Sequence, residues 1–270
     1  MVYYFGVDLH KTQFTVHERT KKSAENLGEI LQYNTTEQGY EAFLTRIKNL
    51  RKNGNEVRVG VESTGNTRFF KNQLEEIGAK VTVINTLKFK VINESSKKTD
   101  KHDAATISEF LSKEMLPESY LCSKETENIR RLLKSRSRLV RSIVGQKNEV
   151  HALLVSLGIK DELRCLQSRK GREKVLSILK DNPNYKLEAL SVQLIFEIID
   201  EMQNKIKEIE NYLDDILKND AMVKRLLTIR GCGKITAWII RAYTEDIDRF
   251  SNSKRYASFC GLVPWVQDSN

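Results

Sequence analysis

The order of apolar segments predicts an α/β protein: a mixed β-sheet with flanking helices, then a long helical, coiled-coil-like region, then an incomplete, mainly α C-terminal domain. Three observations carry this prediction. Strand-like runs crowd residues 3–34, helical and strand-like runs alternate over residues 39–84, and apolar residues recur at helical spacing over 125–157 and 191–217.

Tyr3–Leu9 and Phe14–His17 are rich in apolar and aromatic side chains around the turn His10-Lys11-Thr12-Gln13, and Gly28–Asn34 supplies a third strand, so a β-meander opens the chain. A helix over Gly39–Arg51 follows, with Phe43, Leu44, Ile47 and Leu50 on one face, and then the short apolar run Val57–Val61. A second helix, Asn66–Ile77, carries Phe69, Phe70, Leu74 and Ile77 and stops at Gly78, a natural C-cap. Lys80–Ile84 is another buried strand. Three antiparallel strands followed by alternating helices and strands predict an RNase H-like mixed sheet.

From Glu125 to Leu157 the residues Ile129, Leu132, Leu133, Leu139, Val140, Ile143, Val144, Val150, Leu154 and Leu157 predict one long amphipathic helix. Ser191–Leu217 predicts another, through Ile195, Ile198, Met202, Ile206, Ile209, Leu213 and Ile216. The pair fits a coiled coil, within the chain or between chains, and equally an ordinary helical hairpin. Asp220–Asn270 is compact, with glycine and aromatic punctuation. The expected division is 1–120, 121–219 and 220–270.

Bulk composition excludes several classes. The 270 residues can bury real cores, yet no window approaches the ~18 uninterrupted apolar residues of a membrane span. The start, MVYYFGVDLHKT, lacks the basic head and long apolar core of a secretory signal, so a cytoplasmic protein is expected. Cys122, Cys165, Cys232 and Cys260 lie far apart and form neither a zinc-type pair nor a disulfide framework. The net charge of +9 fits a polyanionic partner.

Two acids leave buried strands at their ends: Asp8 after Tyr3–Val7, and Glu62 after Val57–Val61. In an open sheet with parallel strands such ends converge at one edge. Carboxylates that close repel one another unless a cation lies between them. In KTDKHDA, Asp100 and Asp103 are three apart and project from one face of the first turn of a helix running to Leu111. Four such oxygen ligands suit Mg²⁺ or Mn²⁺, and two hard cations clamp the attacking and leaving oxygens of a phosphoryl transfer. His102 reads as an exposed helix residue, and His10, His17 and His151 show no mutual spacing that suggests a site.

Positive charge is concentrated. Arg130, Arg131, Lys134, Arg136, Arg138, Arg141 and Lys147 fall within eighteen residues that contain no acid. Arg130, Lys134, Arg138 and Arg141 share one helical stripe, which with Arg131 offers cations to a phosphate backbone, whereas a merely solvated face would mix its signs. Further on, Leu227-Thr-Ile-Arg-Gly-Cys-Gly-Lys-Ile-Thr-Ala237 has the cadence of a helix-hairpin-helix turn. Gly231 and Gly233 would bring backbone N–H groups to a phosphate, and Lys234 would add charge. A glycine turn between packed helices looks alike.

Together, YFGVDLHKTQFTVHE, VGVESTG and KTDKHDA resemble the DEDD domain of the IS110/IS1111 family of insertion-sequence transposases. Phe250-Ser-Asn-Ser-Lys-Arg-Tyr-Ala-Ser-Phe-Cys-Gly-Leu-Val-Pro264 resembles the family's C-terminal signature. The resemblance implies a RuvC-like fold in which Asp8, Glu62, Asp100 and Asp103 are the metal-binding catalytic set. It also implies recombination of DNA with a structured non-coding RNA as guide, and a serine nucleophile at the position of Ser269, followed here by Asn270 where the family usually has glycine. Joining two DNA ends implies a homo-oligomer, a dimer or tetramer. Family members continue for many tens of residues past this serine, so the chain reads as truncated, either a copy inactive in recombination or a trimmed form of an active one. The alternatives are a RuvC-like nuclease in which metal activates water, a non-catalytic nucleic-acid-binding remnant, and an actin-like sugar kinase. The last rests on Gly-Val-Asp-Leu-His-Lys-Thr alone, without the glycine that usually follows the aspartate of such a phosphate loop.

Overall fold

A computed structural model gives the fold over residues 1–20, 28–92, 100–159 and 166–263, with the side chains of 91, 92 and 100–102 outside the described set. The chain forms two compact units, Met1–Leu121 and Cys122–Asn270.

The first unit contains β1 (Val2–Leu9), β2 (Gln13–Thr20), β3 (Ile30–Asn34), α1 (Glu37–Lys52), β4 (Glu56–Glu62), α2 (Thr67–Glu76), β5 (Lys80–Ile84), α3 (Thr86–Ile92) and α4 (Asp100–Ser112). The sheet order is β3-β2-β1-β4-β5. β2 is antiparallel to both β1 and β3, whereas β1, β4 and β5 run parallel. This is the RNase H-like mixed sheet expected from the order of the segments.

Alternation along the strands divides the residues between two faces. Phe5, Val7, Leu9, Phe14, Val16, Val57, Val59 and Val61 pack with Phe43 and Ile47 of α1 and Phe70 and Leu74 of α2. Four of these are rings in mutual contact, including Phe5 edge-on to Phe43 at 5.9 Å and Phe43 stacked on Phe70 at 5.8 Å.

The opposite face is prepared by absence. Gly6 and Gly60 stand side by side in the β1–β4 register, and α4 lies across them. A Cβ on Gly6 would sit 2.0 Å from the Ala104 carbonyl oxygen and 2.4 Å from the Ser108 nitrogen. One on Gly60 would come within 2.9 Å of Ile107 and Leu116 side chains. The helix therefore approaches the sheet at backbone distance. A buried polar pair locks it there. The Ser108 hydroxyl donates to the Ala105 carbonyl at 2.8 Å, so at 2.7 Å it accepts from Nδ1–H of His17 on β2. Burial, helped by Arg19, pushes the His17 pKa below its ordinary value, which keeps the ring neutral in this role.

The second unit is helical: α5 (Lys124–Ser156), α6 (Arg169–Asp181), a 3-10 turn at Pro183–Tyr185, α7 (Lys186–Leu217), α8 (Ala221–Leu227), α9 (Lys234–Thr244) and α10 (Ser253–Phe259). Ile143, Val150 and Leu154 of α5 cluster with Val192, Ile195, Phe196 and Ile199 near the start of α7 and with Val175 and Leu179 of α6. Ile129 and Leu133, near the start of α5, meet Leu213 and Leu217 at the end of α7. The two long helices are therefore antiparallel partners within the chain. Val223, Ala237, Trp238 and Ala242 close the same core, so the helices beyond residue 220 belong to this unit. The inner seam of α7 runs one residue away from the sequence expectation at its start: Ile198 is 46% exposed while Ile195 and Ile199 are buried. Among the described residues no helix is long and apolar enough to cross a membrane.

Candidate functional site

Parallel pairing and face alternation bring the acids to one place. Val7 of β1 is opposite Val61 of β4, so Asp8 and Glu62 follow side by side at the carboxyl ends of these strands. Both continue the row begun by Gly6 and Gly60, the face covered by α4. Asp100 is the first residue of α4, and Asp103 follows in its first turn, next to the Ala104 that rests on Gly6. The Asp100 side chain lies outside the described residues, as does Ser269.

Asp8 is buried, and the exposed His10 donates from Nε2 to Asp8 Oδ2 at 3.0 Å. Glu62 is half-buried, and burial pushes its carboxyl above the usual range near 4.5, reinforced by the negative charges of Asp8 and then Asp103 and opposed by Lys90 and His10. Asp8 and Asp103 are thus close enough for their charges to act on Glu62. Among the described residues no three His, Cys, Asp or Glu side chains stand in a geometry that would hold a metal ion. The donor set nevertheless fits a hard divalent cation: the ligands are carboxylates only, and their crowding is the repulsion that such a cation relieves.

The sign of the Glu62 shift makes a prediction. A carboxyl with a raised folded-state pKa contributes stability that is present below its unfolded pKa and lost as pH rises through the folded value. Glu62→Gln removes that penalty. In metal-free buffer it is expected to raise Tm by about 2–4 °C at neutral pH. The gain should shrink towards about pH 4.5, which thermal melts across the range would check.

His10 escaped the sequence analysis because its role comes from a turn that folds back on the strand. The only local signal is its place two residues after the strand-end aspartate.

On α5 the basic residues divide. Arg130 donates from Nε to the Ala242 carbonyl at 2.8 Å and packs its guanidinium over the Tyr243 ring, so it ties α5 to the end of α9. Arg131 pairs with Glu127 at 2.5 Å and Arg136 with Glu210 at 2.6 Å. Exposed Lys134 and Arg138 make no ion pair or hydrogen bond among the described residues, and exposed Arg141 makes only a 3.4 Å contact with the Ser137 carbonyl. In the glycine turn, Gly231 has φ of 87°, a conformation that favours glycine, and Gly233 caps α9 without any side-chain hydrogen bond. A Cβ at either would meet nothing within 4 Å, so this backbone faces open space. Lys234 is held at 2.9 Å by Asp214, which offsets the charge expected of it.

Comparison with known proteins adds independent evidence. A DEDD transposase model of the IS110 type matches residues 5–159, and an IS116/IS110/IS902 family transposase model matches residues 223–270. A probable family 20 transposase of Pseudomonas aeruginosa is 29% identical over 212 residues, covering 76% of this chain and 61% of the relative. The transposase for insertion sequence element IS1328 of Yersinia enterocolitica is 27% identical over 212 residues, covering 76% and 60%. The transposase for IS1111A of Coxiella burnetii is 27% identical over 172 residues, covering 63% and 46%. The matched part of the chain thus covers between 46% and 61% of the length of these relatives.

Proposed function

The chain belongs to the IS110 family of insertion-sequence transposases, and from that premise we propose that it recombines DNA through a metal-assisted site formed by Asp8, Glu62, Asp100 and Asp103. The observation that carries the proposal is the placement of Asp8 and Glu62 side by side at the carboxyl ends of β1 and β4, with Asp103 in the first turn of the helix laid against them. When bound, Mg²⁺ or Mn²⁺ would supply Lewis-acid stabilisation of charge on a phosphoryl oxygen. The chain's own residues do the rest. Asp8 and Glu62 are fixed by two rigid strands, α4 is fixed by its backbone-close seat on Gly6 and Gly60, and His10 holds the Asp8 carboxyl in one orientation.

Lys134, Arg138 and Arg141 offer a row of cations to a phosphate backbone, beside Arg131, whose charge is shared with Glu127. The open glycine turn at Gly231 and Gly233 offers backbone N–H groups to another phosphate. DNA is the proposed substrate, a structured guide RNA the proposed partner, a dimer or tetramer the working state, and the cytoplasm its place of action.

Ser269 is proposed as the nucleophile. Its Oγ would attack a DNA phosphorus, forming an Oγ–P bond while a deoxyribose oxygen leaves and takes up a proton. The test is to incubate the chain with insertion-sequence-end DNA and Mg²⁺ and to separate protein-linked strands under denaturing conditions. A covalent protein–DNA band is expected for the wild-type chain and none for Ser269→Ala. Strand cleavage that survives Ser269→Ala without a covalent band would mean attack by water, the chemistry of a nuclease, and would overturn the serine assignment.

A further inference from the structure

A groove of about 600 Å³ opens in the first unit at the same end of the sheet as the carboxylates, on the side that α1 covers. Its wall includes His10 and Lys11, which follow Asp8 at the end of β1, and Thr64, Gly65 and Asn66, which follow Glu62 at the end of β4, with Tyr40 of α1. The groove and the two acids thus share the strand ends of β1 and β4, and a strand lying in the groove reaches the acids by crossing that edge.

The groove is chemically unlike the acidic edge it adjoins. Lys11 is exposed and makes no hydrogen bond or ion pair among the described residues, so its charge is available to an anion. Asn66 Nδ2 donates to the Tyr40 hydroxyl at 3.2 Å, which leaves the tyrosine's own proton to donate outward. Phe69 is 52% exposed, and its ring stands edge-on to Tyr40 at 5.3 Å. A large exposed ring beside this groove offers a π-face that the fold itself does not use.

Cation, hydroxyl donor and exposed ring match the three parts of a nucleotide: phosphate, sugar or base edge, and base face. We infer that this groove is a subsite for one nucleotide of single-stranded DNA, adjacent to the phosphate addressed by the carboxylates. Lys11 takes its phosphate, the Tyr40 hydroxyl donates to its sugar or base edge, and Phe69 stacks on its base. The inference rests on the proposed metal-assisted site, because the groove gains its meaning from sharing a sheet edge with Asp8 and Glu62. It adds positioning: a strand gripped here is held in line with the reacting phosphate.

The test is fluorescence anisotropy of a short fluorescein-labelled oligo-dT bound to the full chain in Mg²⁺, over a salt series. Lys11→Ala is expected to weaken binding several-fold and to reduce the slope of log K against log salt by about 0.7, the loss of one phosphate contact to a single strand. Phe69→Ala is expected to weaken binding about tenfold with the slope unchanged, as loss of stacking should. Both residues are exposed, and thermal melts would confirm that each variant folds. Wild-type affinity and slope in both variants would overturn the inference. Mg²⁺ held by the acids is expected to tighten oligo-dT binding by the wild-type chain, and Glu62→Gln separates the two ideas. If it loses the Mg²⁺ enhancement of binding while Lys11→Ala and Phe69→Ala bind as wild type, the metal site stands and the subsite falls. If Glu62→Gln keeps the enhancement, the metal proposal fails, and the subsite falls with it as a positioning device.

Discussion

Gly6→Ala is expected to destabilise the chain by about 4 kcal/mol, seen as a fall in Tm of roughly 10 °C. The added methyl carbon would sit 2.0 Å from the Ala104 carbonyl oxygen and 2.4 Å from the Ser108 nitrogen. Both are backbone atoms of a helix, so no rotamer change relieves the clash, and the whole of α4 must lift from the sheet. Lifting it strains the His17–Ser108 hydrogen bond and carries the first turn, with Asp100 and Asp103, away from Asp8 and Glu62. The variant should therefore lose its response to divalent metal as well as stability. Gly145→Ala is the matched control. A Cβ there meets nothing within 4 Å in the middle of α5, so alanine should be neutral or raise stability by up to about 1 kcal/mol. A Gly6→Ala melt within about 2 °C of wild type would show that α4 does not rest on β1 as described.

Asp8→Asn is expected to lower metal-dependent DNA strand cleavage by roughly 10³-fold or more while leaving the fold intact. The change conserves volume at a buried position and keeps an oxygen within reach of His10. It removes the negative charge that sits next to Glu62 on the neighbouring strand. Without that charge Glu62 loses a repulsive neighbour and ionises more readily, yet the set has one fewer anionic ligand for a hard cation. Stability should rise slightly in metal-free buffer, and the added stability that metal gives wild type should vanish. Cleavage retained within about tenfold of wild type would remove Asp8 from the site.

Much of the first unit was legible in the sequence because period-two alternation both marks a strand and states which face each residue takes. That is why the sequence alone puts Asp8 and Glu62 together: each ends an apolar run, and parallel strands share an edge. The structure supplied what alternation cannot. Gly6 and Gly60 announce a close approach without saying what approaches, and only the docked α4 shows why both lack a Cβ. α3 went unread because seven residues with one buried ring, Phe89, give no periodicity to detect. Composition grouped seven cations on α5, but the hydrogen bonds of Arg130 and Arg136 depend on α9 and α7, far away in sequence. The placement of Ile198 outside the seam followed from α6 packing against α7, which shifted the buried stripe towards Val192, Ile195, Phe196 and Ile199.

Whether the acidic edge binds metal is measured most directly by calorimetric titration of Mn²⁺ into the wild-type chain and into Asp8→Asn, repeated near pH 6 in two buffers of different ionisation enthalpy. Saturable binding is expected in wild type, with protons released on binding because metal must displace whatever proton the raised Glu62 pKa retains. The variant should show neither the binding nor the proton release. Identical isotherms for the two chains, or no saturable binding by wild type, would contradict a metal site at Asp8, Glu62, Asp100 and Asp103.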